Sequence, residues 1–195
     1  MILGYAGCWD ARSRAPHKPL ELATARERHN RGEPYAAVFS DETLGPRVIV
    51  DVWTTNEFVN VTFLDDLKRI LTTFTFSPEG LHLVRDSSPR PKKRPDIRAP
   101  DGLYFLQTII HTDEYDGDTN NALMATSYNY EQSGFLRIVN ECLVTREATE
   151  FEMQVDVSAH WEPGPPAFGA YDGYLVYGRW APPKSAPVSG ASQPT

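Results

Sequence analysis

Phe58-Val59-Asn60-Val61-Thr62-Phe63 changes sides along an extended backbone: Val59, Val61 and Phe63 fall on one face, Asn60 and Thr62 on the other. A period of two is the signature of a strand with one apolar face and one wet face. The same rhythm runs through Tyr35 to Ser40, Arg47 to Thr54, Phe58 to Asp65, Arg69 to Ser77 and Leu81 to Arg85. Asp65-Asp66 and Ser77-Pro78-Glu79-Gly80 supply tight reversals that let neighbours pair antiparallel. A second group follows at Leu103 to Thr112, Ala122 to Glu131, Phe135 to Val144 and Glu150 to Ser158, with Gln132-Ser133-Gly134 as a hairpin turn. In the last of these, Phe151, Met153, Val155 and Val157 alternate with Glu152, Gln154, Asp156 and Ser158, the most regular pattern in the chain. The expected fold is mainly β: an antiparallel meander of about eight or nine strands. A twisted sheet of that size curls, which predicts a half-barrel or open barrel.

Outside this region the signals differ. Leu20 to Arg31 lies between Pro19 and Gly32, the start and stop chemistry of a short helix. Its few apolar positions predict weak packing through Leu20 and Ala23, with Arg26, Glu27 and Arg28 in water. Met1 to Trp9 is apolar but lacks the basic start and long apolar stretch of a secretory signal, so a short ordered or frayed segment is expected there. Ala181 to Thr195 is rich in Pro, Ser, Ala and Gly, with Lys184 its one charge, and reads as a disordered tail. The expected organisation is therefore an N-terminal segment (1–34), one β domain (35–180) and a tail (181–195).

Composition narrows the function classes. With 195 residues, 41% apolar and 23% charged, the chain has the material for one core. The longest apolar runs are too short to span a bilayer, so no membrane role is expected. Cys8 and Cys142 cannot form a disulfide framework and lack zinc-site spacing, which fits a reducing cytoplasm. The net charge of −7 argues against general nucleic-acid binding and suits a basic partner.

Charge is also unevenly spread. Arg85 to Arg98 carries six basic and two acidic residues, whereas Asp113, Glu114, Asp116 and Asp118 crowd four carboxylates into six positions. Pro89, Pro91 and Pro95 within it, Pro100 just beyond it and no interleaved aromatic make the basic tract a solvated loop rather than a base-stacking surface. Asp116, Asp118 and Asn120 alternate as in the opening of a calcium loop, but Asn121 and Ser127 stand where the turn glycine and bidentate glutamate belong. No metal or other cofactor is expected. The five histidines are scattered, and no GxSxG, P-loop or GxGxxG motif occurs. Acid-base chemistry would need His111 or His160 to meet a carboxylate in a cleft.

The irregular segment Trp161-Glu162-Pro163-Gly164-Pro165-Pro166-Ala167-Phe168-Gly169-Ala170-Tyr171 cannot form regular structure. Its aromatics predict a buckle closing one end of the curled sheet. Asp51-Val52-Trp53 with Phe58 to Asp65, together with this segment, resemble the DVW…FVxVTFLD and WEPxPxFGxY pattern of a group of short actinobacterial proteins. The resemblance runs from about Arg47 to Leu175; it implies a shared fold and attaches no catalytic residue.

The leading expectation is a non-enzymatic module that binds a protein partner, an immunity-type inhibitor capping a toxin or other basic protein. Asp113, Glu114, Asp116 and Asp118 would steer the partner, and Trp161, Phe168 and Tyr171 would hold it. The alternative is a β barrel enclosing a small apolar ligand, lined by Phe63, Phe74, Tyr104 and Tyr128. A hydrolase or isomerase using a His-carboxylate pair ranks below both.

Overall fold

The computed structural model describes residues 2–55, 57–78 and 102–176, which form one antiparallel sheet with a single α-helix. The strands are β1 (Ile2–Asp10), β2 (Ala15–Leu20), β3 (Tyr35–Asp41), β4 (Gly45–Trp53), β5 (Phe58–Leu64), β6 (Ile70–Ser77), β7 (Leu103–Tyr115), β8 (Ala122–Tyr130), β9 (Phe135–Cys142), β10 (Ala148–Gln154) and β11 (Trp161–Pro163). Helix α1 spans Leu22–Arg31, and Asp172–Tyr174 make one 3-10 turn. The order across the sheet is β10-β9-β8-β7-β6-β5-β4-β3-β1-β2. The expected meander is present, and the sheet remains open with β2 and β10 at its edges. Among the described residues, no helix is long and apolar enough to cross a membrane.

The N-terminus departs from expectation. Met1 to Trp9 was read as a short ordered or frayed segment, yet Ile2–Asp10 is an interior strand, paired with β2 on one side and β3 on the other. Tyr5, Gly7 and Trp9 are partly buried and Ala6 fully, but small residues between them blur the alternation. The sheet thus begins well before Tyr35. The helix follows its predicted stop: Gly32 has φ 74°, and the amides of Gly32 and Glu33 donate to His29 and Arg28 carbonyls. Ala25, not Ala23, is its buried residue. The expected strand Leu81 to Arg85, the basic tract and the tail lie outside the described residues.

Cross-strand partners build the core in rows. Val50 faces Val61, Val61 faces Phe74, Phe74 faces Ile109, and the row continues through Tyr128 and Ile138 to Phe151. Partners share a face, so this row lines the concave side. Phe74, Phe76, Leu106, Ile109 and Leu136 are fully buried in this cluster, as is Phe105 beside Trp161. Each such side chain contributes about 1.5–3 kcal/mol. A smaller cluster, Ala6, Ala36, Val38, Ile49 and Leu64, packs separately with Trp9 and Ile70.

Register shifts after Phe39, Phe63, Thr75 and Thr112 deepen the coil of the sheet. The coil brings the β1–β2 turn against the far ends of the central strands. Arg14 donates to the Leu67 carbonyl, the Asp118 carbonyl and Asn120 Oδ1, at 3.2, 2.6 and 2.6 Å. Asn120 returns two bonds to the carbonyls of Ala11 and Arg12.

Candidate binding surface

The segment after β10 fills the concave side. β11 pairs with the first residues of β7, with Trp161 opposite Phe105 and the two rings 4.9 Å apart. The chain then runs over Gly164, where a Cβ would collide with the Cγ edge of the buried Tyr104 ring. Phe168 stacks on Tyr5 at 5.2 Å, lies 5.7 Å from His29, and has the Arg26 guanidinium over its face. This one ring ties β1, α1 and the strap together. Tyr171 is 1% exposed and its hydroxyl lies 2.9 Å from that of Tyr35, which in turn lies 3.1 Å from His29 Nδ1. Burial raises the pKa of both phenols and lowers that of His29. Tyr174 donates to the Pro163 carbonyl and meets Phe76 edge-on. These bonds make the strap part of the core.

The residues expected to hold a partner are therefore separated. Tyr171 is interior, so no partner can reach it in this arrangement, and Trp161 and Phe168 are half-buried against their own chain. Trp161 sits opposite Phe105, eight residues along β7 from Asp113, roughly 26 Å of extended strand. The acidic residues stand at the other end. β7 runs three residues past its expected end, so Asp113 and Glu114 are in the strand, and Asp113 accepts a 2.7 Å bond from Thr126. Asp116 and Asp118 are exposed in the loop. That loop is anchored through its backbone: Arg69 donates to the Gly117 carbonyl at 2.6 Å, as Arg14 does to that of Asp118. Asn120, suggestive of a calcium loop in sequence, is engaged in the same anchoring.

The expected ligand-lining residues do come together, as core. Phe63, Phe74 and Tyr104 are buried, Tyr128 is packed at their edge, and Phe63 meets Phe74 edge-on at 5.6 Å. The chain's own Tyr171 and Tyr174 occupy the same cluster. His111 Nδ1 lies 2.7 Å from Thr72 Oγ1. His160 is half-buried against Tyr130, 4.5 Å away and edge-on, and desolvation lowers its pKa although Asp156 opposes this. The Asp156 carboxylate accepts from the Ser158 amide.

The surface that sequence reasoning missed is the β10 edge. The last strand was expected over Glu150 to Ser158, yet β10 ends at Gln154: Val155 and Val157 pack against the core beyond it, while all seven β10 residues are exposed, Phe151 by 48% and Met153 by 38%. They extend the concave rows beyond Ile138 and Leu136. The Cys142 amide bonds the Glu147 carbonyl, and the Val155 amide bonds that of Gly134, one pair at each end of the β9–β10 ladder. Antiparallel alternation then turns the backbone of Thr149, Phe151 and Met153 toward β9 and that of Glu150 and Glu152 outward. On the opposite face Glu150 pairs with Arg137 at 2.6 Å. No ion pair among the described residues neutralises Glu152. The signal in the sequence was the strict alternation of Phe151 and Met153 with Glu150 and Glu152, which marks an apolar side without saying what covers it.

No family model, curated protein or solved structure matches this chain.

Proposed function

We propose that the chain is a non-enzymatic protein-binding module that recognises a basic partner, in the manner of an immunity-type inhibitor held in a reducing cytoplasm. The observation that carries this reading is a net acidic end and edge of the sheet, where carboxylates outnumber the cations Arg146 and Arg137 that pair with Glu141 and Glu150. Antiparallel order puts the β7–β8 loop and the β9–β10 turn at the same end of the sheet, where the Leu143 amide bonds the Leu123 carbonyl. Glu114, Asp116, Asp118, Glu141 and Glu147 collect at this end, and Glu150 and Glu152 carry negative charge up the edge. Clustered charge of one sign speeds encounter with an opposite surface and sets specificity. The filled concave side supports an outward-facing role over ligand enclosure. Cys8 and Cys142 are free thiols, compatible with a reducing compartment.

Affinity capture from cells at low and high salt, followed by titration of the recovered protein against the purified chain, tests the proposal. A basic protein whose binding weakens as salt rises is expected. Recovery of no protein with salt-dependent affinity overturns it.

A further inference from the structure

We infer that the β10 edge is the docking strand itself, and that it accepts an extended segment whose side chains alternate between apolar and basic. The inference rests on the proposed function and names the part of the surface that performs it. Two independent features converge there. The backbone of Glu150 and Glu152 faces outward from the sheet, so a further strand can add by main-chain hydrogen bonds. The side chains of Phe151 and Met153 continue the concave apolar rows while nearly half of Phe151 stays in water. An added strand would extend those rows and cover these side chains.

Charge selects the occupant. The opposite face of β10 presents Glu150 and Glu152, with Arg137 alone beside them on β9. A second copy of the chain pairing through β10 must keep its apolar face on the concave side. That places the Glu150 and Glu152 face of one copy beside the same face of the other, in either strand direction. Like charges in adjacent cross-strand positions are destabilising, so self-pairing is disfavoured. A strand with Lys or Arg at alternate positions instead sets cations beside those carboxylates and apolar groups beside Phe151 and Met153. Such a strand adds register to attraction, because a slip of one residue puts cations on the apolar side.

The test uses a capped peptide of alternating Lys and Val, a matched Glu and Val peptide, and the full chain labelled for NMR. The Lys and Val peptide is expected to slow amide exchange at Glu150 and Glu152, to bind less tightly as salt rises, and to lose about tenfold in affinity against Glu152→Lys. Met153→Ser, which leaves the carboxylates intact, is expected to weaken it as well. Absence of binding at millimolar peptide, equal binding of the Glu and Val peptide, or binding without protection at these amides overturns the inference. So does sedimentation that reveals self-association with those amides already protected. The two proposals separate cleanly: a basic protein captured from cells that binds Glu152→Lys as tightly as the parent chain defeats the docking strand and leaves the wider function standing.

Discussion

The two edges of the sheet have opposite chemistry. β2, Ala15–Leu20, contains Pro16 and Pro19, which have no amide hydrogen, and Lys18 in the left-handed region at φ 53°. Its last residue, Leu20, packs on the core. Such an edge is blunted against further pairing. β10 has no proline, no left-handed residue and an exposed apolar side. The contrast extends inward. Near β2 the concave face is covered by Phe168, Tyr171 and α1, whereas at β10 it runs out uncovered. Among the described residues, one flank of the sheet is covered by its own chain and the other is not.

The largest test of this contrast is Tyr171→Ala. Removing the ring empties the covered flank and leaves the Tyr35 hydroxyl without its partner, so a loss of about 3–5 kcal/mol is expected in denaturant unfolding. A loss below about 1 kcal/mol would mean that the strap is dispensable and the flanks are alike.

Carboxylates divide in the same way. Asp51 on β4 is partly buried, and desolvation pushes its pKa up to about 6, while Glu152 on β10 stands in water. For Asp51 the folded state favours the protonated acid. Its contribution is fully present below the unfolded value of about 4 and is lost as pH rises through about 6. Asp51→Asn should therefore stabilise the chain by up to about 3 kcal/mol at pH 7–8, an advantage that shrinks between about pH 6 and 4. His29 and His160 run the other way, since their lowered pKa values remove stability as pH falls below about 6.5. Comparing parent and variant at each pH cancels that common trend. Thermal melts across this range that show a constant difference would reject the assignment.

Gly164→Ala probes the strap where it crosses Tyr104. The new methyl forces that buried ring to move, with an expected cost of about 1–3 kcal/mol by thermal melting. The smallest effect belongs to the open flank. Phe151→Ser should change stability by no more than about 0.5 kcal/mol, because the ring is half in solvent. A cost near that of Tyr171→Ala would show that Phe151 is part of the core after all.

Much of the architecture was legible in the residues. The alternation of Phe58 to Phe63, the turn at Gly134 with φ 85°, and the Gly32 stop of α1 all appear where local chemistry asks for them. The site was less legible. Asp113, Trp161 and Tyr171 each read correctly as charged or aromatic, but their grouping required knowing which end of β7 each one meets. The N-terminal strand escaped because Gly4, Ala6 and Gly7 give too little contrast between faces, and its pairing partners are supplied from Ala15 to Asp41.

Local sequence showed which runs between residues 35 and 158 alternate, where several of them turn and which side of each is apolar, because φ/ψ preference and side-chain period act over a few neighbours. Only the tertiary structure decided which apolar sides are covered. Alternation marks Tyr35, Phe74 and Phe151 alike as members of an apolar face. Burial then comes from segments far away in the chain, so Tyr35 receives Tyr171 across 136 positions while Phe151, on the edge strand β10, stays half in solvent.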